Sequence, residues 1–411
     1  MTRRSAYFCG LDLGVHGVKA SLINARDEQN LDLLGVFEAR STGFKSGSVS
    51  DLSELADCVS RAVNGACQKC TVKVQTVHLG ISSQCVDLRR SCAVVPLVDA
   101  GAKVIGRGDI KKVDHQAKLL GTGLEEDIIH DFPQAYKVDD VNAANNPIGL
   151  YGRKLESNML LLLANTNRLR NLVKSVHQAG FEVGRVSLSS FAASHVALDT
   201  ALKNQGCILI DIGADMTSAL FFKNGALGDI QFLPWGGHYL TQSLAERLGL
   251  AVDLAEDIKK THAVAFAGAV KENAGPGSSG EILIKREKDY LPIRRAAVCE
   301  AVNWEVENLL AHVETVVKGS PLFHDINSGV VIVGGGALLP GLMERIEARL
   351  NMPVAMGAAK GLNNAALFAG AIGLAQMSYV KSARESFDLK TPGDWKNRIV
   401  DRARELCQEY F

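Results

Sequence analysis

Apolar positions along this 411-residue chain switch between a two-residue and a 3.6-residue period. Residues 6–13 (AYFCGLDL) form an apolar run that ends at Gly14, and VKASLI follows from Val18. Two β-prone runs around a glycine turn predict a β-hairpin. Residues 51–69 carry apolar side chains at helical spacing behind Asp51, which predicts a capped helix. VQTVHLGIS (74–82) predicts a strand. From 83 to 158 the texture changes: short alternating stretches surround a helix expected at 109–119, the pattern of an inserted subdomain. NMLLLLAN (158–165) predicts a buried strand, and residues 166–180 a helix closed by Gly180.

A second cycle begins near 206. CILIDIGADMTSALFF (207–222) repeats the strand, glycine turn and strand of the N-terminus. Helices are expected at 237–249 and 253–262, then a Gly/Ser-rich loop (275–280) and a long helix over roughly 292–318. VVIVGGG (330–336) predicts a buried strand feeding glycines and a helix, and FAGAIGLAQ (368–376) a helix with small residues on its face. Periodicity fades over 378–394, which predicts a flexible linker. It returns at the end, where Trp395, Ile399, Ala403, Leu406 and Tyr410 fall on one helical face and Lys396, Arg398, Arg402 and Arg404 on the rest.

Composition narrows the function classes. Lys+Arg and Asp+Glu are equal at 45 each, so no global attraction to nucleic acid follows. No apolar run reaches the ~18 residues of a membrane-spanning helix, and the N-terminus lacks the apolar core of a signal peptide. Nine scattered cysteines suit reduced thiols in a cytoplasm. Cys67 and Cys70 form a CxxC without a second ligand pair, so they read as two small residues near a helix end.

Three segments share one grammar, an apolar strand running into a glycine turn: Gly10 to Gly14, Ile210 to Gly213 and Val333 to Gly336. Glycine lets backbone N–H groups approach phosphate oxygens without an intervening side chain. A carboxylate at the strand end, Asp12 or Asp211, can hold Mg²⁺ directly or through water. Two such hairpins facing each other would clamp a nucleotide's phosphates, with the third loop beside the adenosine.

This order of motifs resembles the actin, hexokinase and heat-shock-chaperone superfamily. Within it the chain is similar to the FtsA family, on GLDLG, GSVSDLSEL, HDFPQAY, NPIGLYGRKL, IDIGADMT, LAEDIKKTHA, VIVGGGALLPGL and the terminal amphipathic segment. The resemblance implies an α/β, actin-like (ribonuclease H-like) duplicated fold, with two lobes around a nucleotide cleft. Lobe 1 would take 1–82, 159–205 and 366–380, with a 1C subdomain inserted at 83–158. Lobe 2 would take 206–240 and 311–365, with a 2B-like subdomain at 241–310. A flexible linker at 381–394 would lead to a membrane-targeting helix at 395–411.

Carried over by position, the resemblance implies ATP and Mg²⁺ as cofactors. Asp12 and Asp211 would be the metal-associated acids, acting through water and positioning water if hydrolysis occurs. Gly14, Val15, His16, Gly213, Ala214 and Asp215 would form the phosphate loops, and Gly237 the start of a facing helix. Glu256 and Lys259 would lie at the nucleoside, and Gly334, Gly335 and Gly336 in the adenosine loop. Val15, Gly17, Asp215 and Ser218 depart from the family pattern, which implies at most weak ATPase activity. Implied partners are FtsZ, docked on 241–310, further copies of the chain, later division proteins and the cytoplasmic face of the plasma membrane at the division site. Trp395, Ile399, Leu406, Tyr410 and Phe411 would insert into that membrane. The competing readings are an ATPase or small-molecule kinase on the same fold and a pilus-assembly actin homologue.

Overall fold

The computed structural model describes residues 6–25, 31–68, 70, 72–98, 101–139, 141–144, 146–265, 281–286, 289–359 and 362–388. The chain opens with β1 (Ala6–Leu13), β2 (Gly17–Ala25), β3 (Leu31–Arg40), a two-residue pair β4 (Phe44–Lys45) and β5 (Ser48–Val49), α1 (Leu52–Cys67) and β6 (Thr76–Ile81). An insert follows: β7 (Asp87–Pro96), β8 (Lys103–Val104), α2 (Arg107–Gly121), β9 (Glu126–Val138), β10 (Val141–Ala144), β11 (Tyr151–Gly152) and β12 (Lys154–Asn165). The first lobe resumes with α3 (Thr166–Gln178), β13 (Glu182–Leu188), α4 (Ser189–Ala197) and α5 (Thr200–Gln205). The second lobe holds β14 (Cys207–Ile212), β15 (Thr217–Lys223), β16 (Ala226–Leu233), α6 (Gly237–Leu248), α7 (Val252–His262), β17 (Glu281–Arg286), β18 (Asp289–Arg294), α8 (Arg295–Gly319), β19 (Val330–Val333), α9 (Leu342–Leu350) and β20 (Val354–Met356). Helix α10 (Ala365–Asp388) returns to the first lobe.

The internal repeat seen in sequence is a repeat of topology. One sheet runs β13-β6-β1-β2-β3 and the other β20-β19-β14-β15-β16, the same order with the same parallel and antiparallel pairings. Period-2 alternation assigns the faces of β14. Ile208, Ile210 and Ile212 join the core under α6, α8 and α9, while Cys207 and Leu209 join the core shared with the first lobe. Helices α4 and α10 pack on each other and touch both sheets. A Cβ on Gly10 would lie 2.0 Å from the Ala371 carbonyl oxygen, so β1 has glycine where α10 lies directly on its backbone.

The insert is an antiparallel sheet, β10-β9-β12-β7, with α2 against it. Its last strand corrects the expected boundary at 158. β12 pairs with β7 and β9 along its length, to Leu163 and Asn165 respectively, so 158–165 belongs to the insert and not to lobe 1. The run MLLLLA is apolar throughout because both faces are covered. Leu160, Leu162 and Ala164 face the lobe 1 core, while Met159, Leu161 and Leu163 face Val113 and Ala117 of α2. Pro133 of HDFPQAY sits where the β9–β12 register shifts, the position in a paired strand that tolerates a missing N–H.

Three further expectations change. The long helix starts at Arg295, and the antiparallel pair β17 (Glu281–Arg286) and β18 (Asp289–Arg294) precedes it, partly where helix was expected. The glycines at 334–336 lead into a single 3₁₀ turn, Gly336–Leu338, and the following helix begins only at Leu342. Residues 378–388, expected as linker, continue α10. Their sequence has no Gly or Pro to break the helix. The remainder of the expected linker, 389–394, and the amphipathic segment with Trp395, Ile399, Leu406, Tyr410 and Phe411 lie outside the described residues.

Candidate functional site

The tips of the two equivalent hairpins meet at one cavity of about 460 Å³, within the range of small-molecule sites. Its walls include all of Asp12, Gly14, Val15, His16, Asp211 and Gly213. Ala214, Asp215, Gly237, Glu256, Lys259 and Gly334 to Gly336 complete the expected set on the same walls. Residues up to 324 positions apart in sequence are therefore brought to one place by the duplication of the sheet.

Each turn is built the same way. The Gly14 N–H donates to the Gly17 carbonyl at 3.2 Å, and the Gly213 N–H to the Met216 carbonyl at 2.9 Å. A Cβ at either glycine would press on that same carbonyl, at 2.8 and 3.0 Å. Helix α6 is fastened to the second turn: the N–H groups of Gly237 and His238 donate to the carbonyls of Gly213 and Ala214. The Gly237 N–H is thus spent on the protein itself, and its carbonyl accepts from Lys259 Nζ at 3.0 Å. Gly334, at φ +91°, donates its N–H to the Ala366 carbonyl at the start of α10. A side chain there would meet the Ile212 carbonyl and Asp211 Oδ1 at 2.4 and 2.5 Å.

At the cavity floor, Asp12 Oδ1 accepts from Ser189 Oγ at 2.6 Å, and a Cβ on Gly370 would stand 3.1 Å from Oδ2. Burial and the Asp12 charge push the Asp211 carboxyl up to about 6, against a smaller pull from Lys19. A carboxyl whose ionisation is made costlier by a second carboxylate, beside glycine turns, makes a setting that a divalent cation would relieve.

On the α7 wall, Glu256 and Lys259 are ion-paired at 2.6 Å, and Thr241 Oγ1 donates to the same carboxylate. Burial opposes the Glu256 charge, but Lys259 and the two hydrogen bonds outweigh it and hold the carboxyl at about 2. Burial lowers Lys259 despite this partner. Asp215, which the resemblance places in the second phosphate loop, is hydrogen-bonded by His238 Nδ1 at 2.5 Å, and that bond lowers its pKa. Gln84 reaches it from the other lobe at 3.4 Å.

Sequence reasoning missed several cavity residues. His238 carried no motif, Lys260 lay inside LAEDIKKTHA without an assigned role, and Ser189 and Gly370 come from helices that only tertiary packing brings to Asp12. Lys19 had a detectable signal: two residues past Gly17 on a strand, it shares Gly17's face, and in the register it stands opposite Asp12. Among the described residues, no group of three or more His, Cys, Asp or Glu is arranged to hold a metal by protein ligands alone, and no helix is long and apolar enough to cross a membrane.

Two family profiles match the chain: Cell division protein FtsA over 208–373 and the SHS2 domain inserted in FtsA over 86–163, which coincides with the insert sheet. The cell division protein FtsA of Borreliella burgdorferi is 25% identical over 417 residues, covering 98% of each chain. That of Streptococcus pneumoniae is 27% identical over 342 residues, covering 83% of this chain and 73% of its own. Among solved structures, the chain superposes on a PilM–PilN type IV pilus biogenesis complex with TM-score 0.64 at 16% identity, covering 90% of this chain and 98% of that one. It also superposes on MreB5 of Spiroplasma citri bound to AMPPNP, with TM-score 0.54 at 12% identity and coverage of 94% and 99%. At these identities the structural likeness concerns the actin-like fold.

Proposed function

The chain belongs to the FtsA family of actin-like cell division proteins, and from that premise we propose that it binds ATP with Mg²⁺ in the cavity between its lobes, assembles with further copies, and tethers FtsZ filaments to the cytoplasmic face of the membrane through residues 395–411. The observation that carries the nucleotide part is the convergence of both aspartate-tipped hairpins and the 334–336 loop on one cavity. The two glycine turns would hold the phosphates, with Asp12 and Asp211 on the metal through water. Bound Mg²⁺ supplies charge neutralisation beside these carboxylates. Lys19, on the strand opposite Asp12, adds a positive charge to the same wall. The Glu256–Lys259 pair is braced against Gly237 and Thr241, so it would form a fixed wall for the nucleoside. Asp215, held by His238, is not free to act as a base beside the second turn, and hydrolysis is expected to be weak.

Membrane tethering rests on the apolar face of the terminal segment, where burial of each large side chain is worth ~1.5–3 kcal/mol gross and multivalency along a filament would strengthen it. Calorimetric titration of the full chain with ATP, with and without Mg²⁺, should give metal-dependent binding that Asp211→Ala weakens. Absence of binding by the parent would overturn the nucleotide reading. Sedimentation with FtsZ filaments and anionic liposomes should carry the parent down and leave Trp395→Glu in the supernatant. Equal sedimentation of both would sink the tether.

A further inference from the structure

Resting on the nucleotide reading above, we propose that His16 and His238 form a clamp across the cleft that grips the terminal phosphate of a nucleoside triphosphate from both lobes. Val15 and Ala214, the residues directly after the two loop glycines, offer no side-chain donor. The polar rings nearest them are His16, in the first turn, and His238, in the first turn of α6 on the second loop's carbonyls. Both line the cavity, and their rings meet edge to face at 5.9 Å from opposite lobes.

Each ring is oriented by a charged partner. His238 Nδ1 is fixed on Asp215 Oδ1 at 2.5 Å, which leaves Nε2 as its remaining polar position. Lysine only donates, so His16 Nε2 accepts from Lys260 Nζ at 3.0 Å, and the neutral ring carries its proton on Nδ1. His16 faces Glu38 from β3, Glu256 and Lys260 from α7, and His238 from α6. His238 faces Asp215 from the second turn and His16 from the first.

The free protein keeps His16 neutral near pH 7, since burial and then Lys260 lower its pKa. A phosphate arriving against both rings favours the imidazolium form. Binding therefore takes up a proton, and affinity for the triphosphate rises as pH falls from about 8 to about 6. AMP lacks the terminal phosphate and should bind without this dependence.

The test is calorimetric titration of the full chain with Mg·ATP, Mg·ADP and AMP across that pH range, for the parent, His16→Gln and His238→Gln. Each substitution should weaken ATP about tenfold, the loss of one charge-assisted hydrogen bond, while leaving AMP within about twofold and flattening the ATP pH profile. Asp215→Asn, which keeps the His238 ring but loosens its anchor, gives a second handle and should fall between. Imidazole C–H resonances in NMR should move toward the protonated position with ATP and stay with AMP. Variants that bind ATP as the parent does, or that lose AMP equally, overturn the clamp alone. A parent that binds no nucleotide removes both the clamp and the reading beneath it.

Discussion

The two hairpins at the cleft are the same structure carrying different chemistry. In β1–β2 the residue opposite Asp12 is Lys19; in β14–β15 the residue opposite Asp211 is Ser218. Asp12 is hydrogen-bonded by Ser189, whereas Asp211, half-buried, is pushed up to about 6 by loss of solvation and by Asp12. Two positions earlier, β1 has Gly10 under α10, and β14 has Leu209 in the shared core. Duplication thus supplies the positions of two facing carboxylates, and the neighbours on the adjoining strand and helix differ between them.

The comparison breaks most completely if the first hairpin is given the second's residue. Gly10→Leu drives a Cβ to within 2.0 Å of a backbone carbonyl of α10, which cannot yield as a flexible side chain could. Expected destabilisation exceeds about 3 kcal/mol, read as loss of the cooperative thermal transition. Leu163→Met, a volume-conserving change in the insert core, should cost less than about 1.5 kcal/mol and serves as the control.

Asp211→Asn sharpens the electrostatic half. The folded carboxyl titrates at about 6 against the ordinary 3.8 expected in the unfolded chain, so the folded state holds the proton more tightly. Stability from this group is full in acid and is lost as pH rises from about 4 through about 6, reaching a cost of about 3 kcal/mol above that. Without divalent cations, the variant should melt above the parent at pH 8, and the gap should close by pH 4. A gap independent of pH would show that Asp211 is not the group titrating.

The insert is what most distinguishes the lobes, and it is clasped to the second lobe. Arg90 of β7 pairs at 2.6 Å with the fully buried Asp229 of β16, which Ser320 Oγ also bonds at 2.8 Å. Arg90→Ala should cost about 2 kcal/mol, below the usual figure for breaking a buried pair because Asp229 keeps its other donors. Hydrogen exchange should rise in β7 and β16 if the clasp holds these elements. The smallest effect belongs to Arg40–Asp253, which bridges the cleft at 2.5 Å with both side chains mostly exposed. Arg40→Ala should change stability by less than about 1 kcal/mol, and that difference should vanish at high salt.

Local features were legible before the fold was. The capped helix behind Asp51, both hairpins and the turn at Gly180 each depend on residues within one or two turns of chain, and all are present. The strand at 158–165 was legible as buried but not as part of the insert, since an apolar run says that both faces are covered without saying by what. The β17–β18 pair was missed because its strands carry charges that interrupt the apolar alternation. His238 was invisible because its meaning comes from Asp215, 23 residues away, and from His16 in the other lobe.

The sequence by itself determined the repeat, the glycine turns and the acidic strand ends, because period and turn chemistry are written in consecutive residues. Only the tertiary structure decided which carboxyl is pushed up, which histidines meet across the cleft and which lobe holds each strand. Those outcomes depend on desolvation and on partners as much as 244 residues apart, as between His16 and Lys260, and no local pattern encodes them.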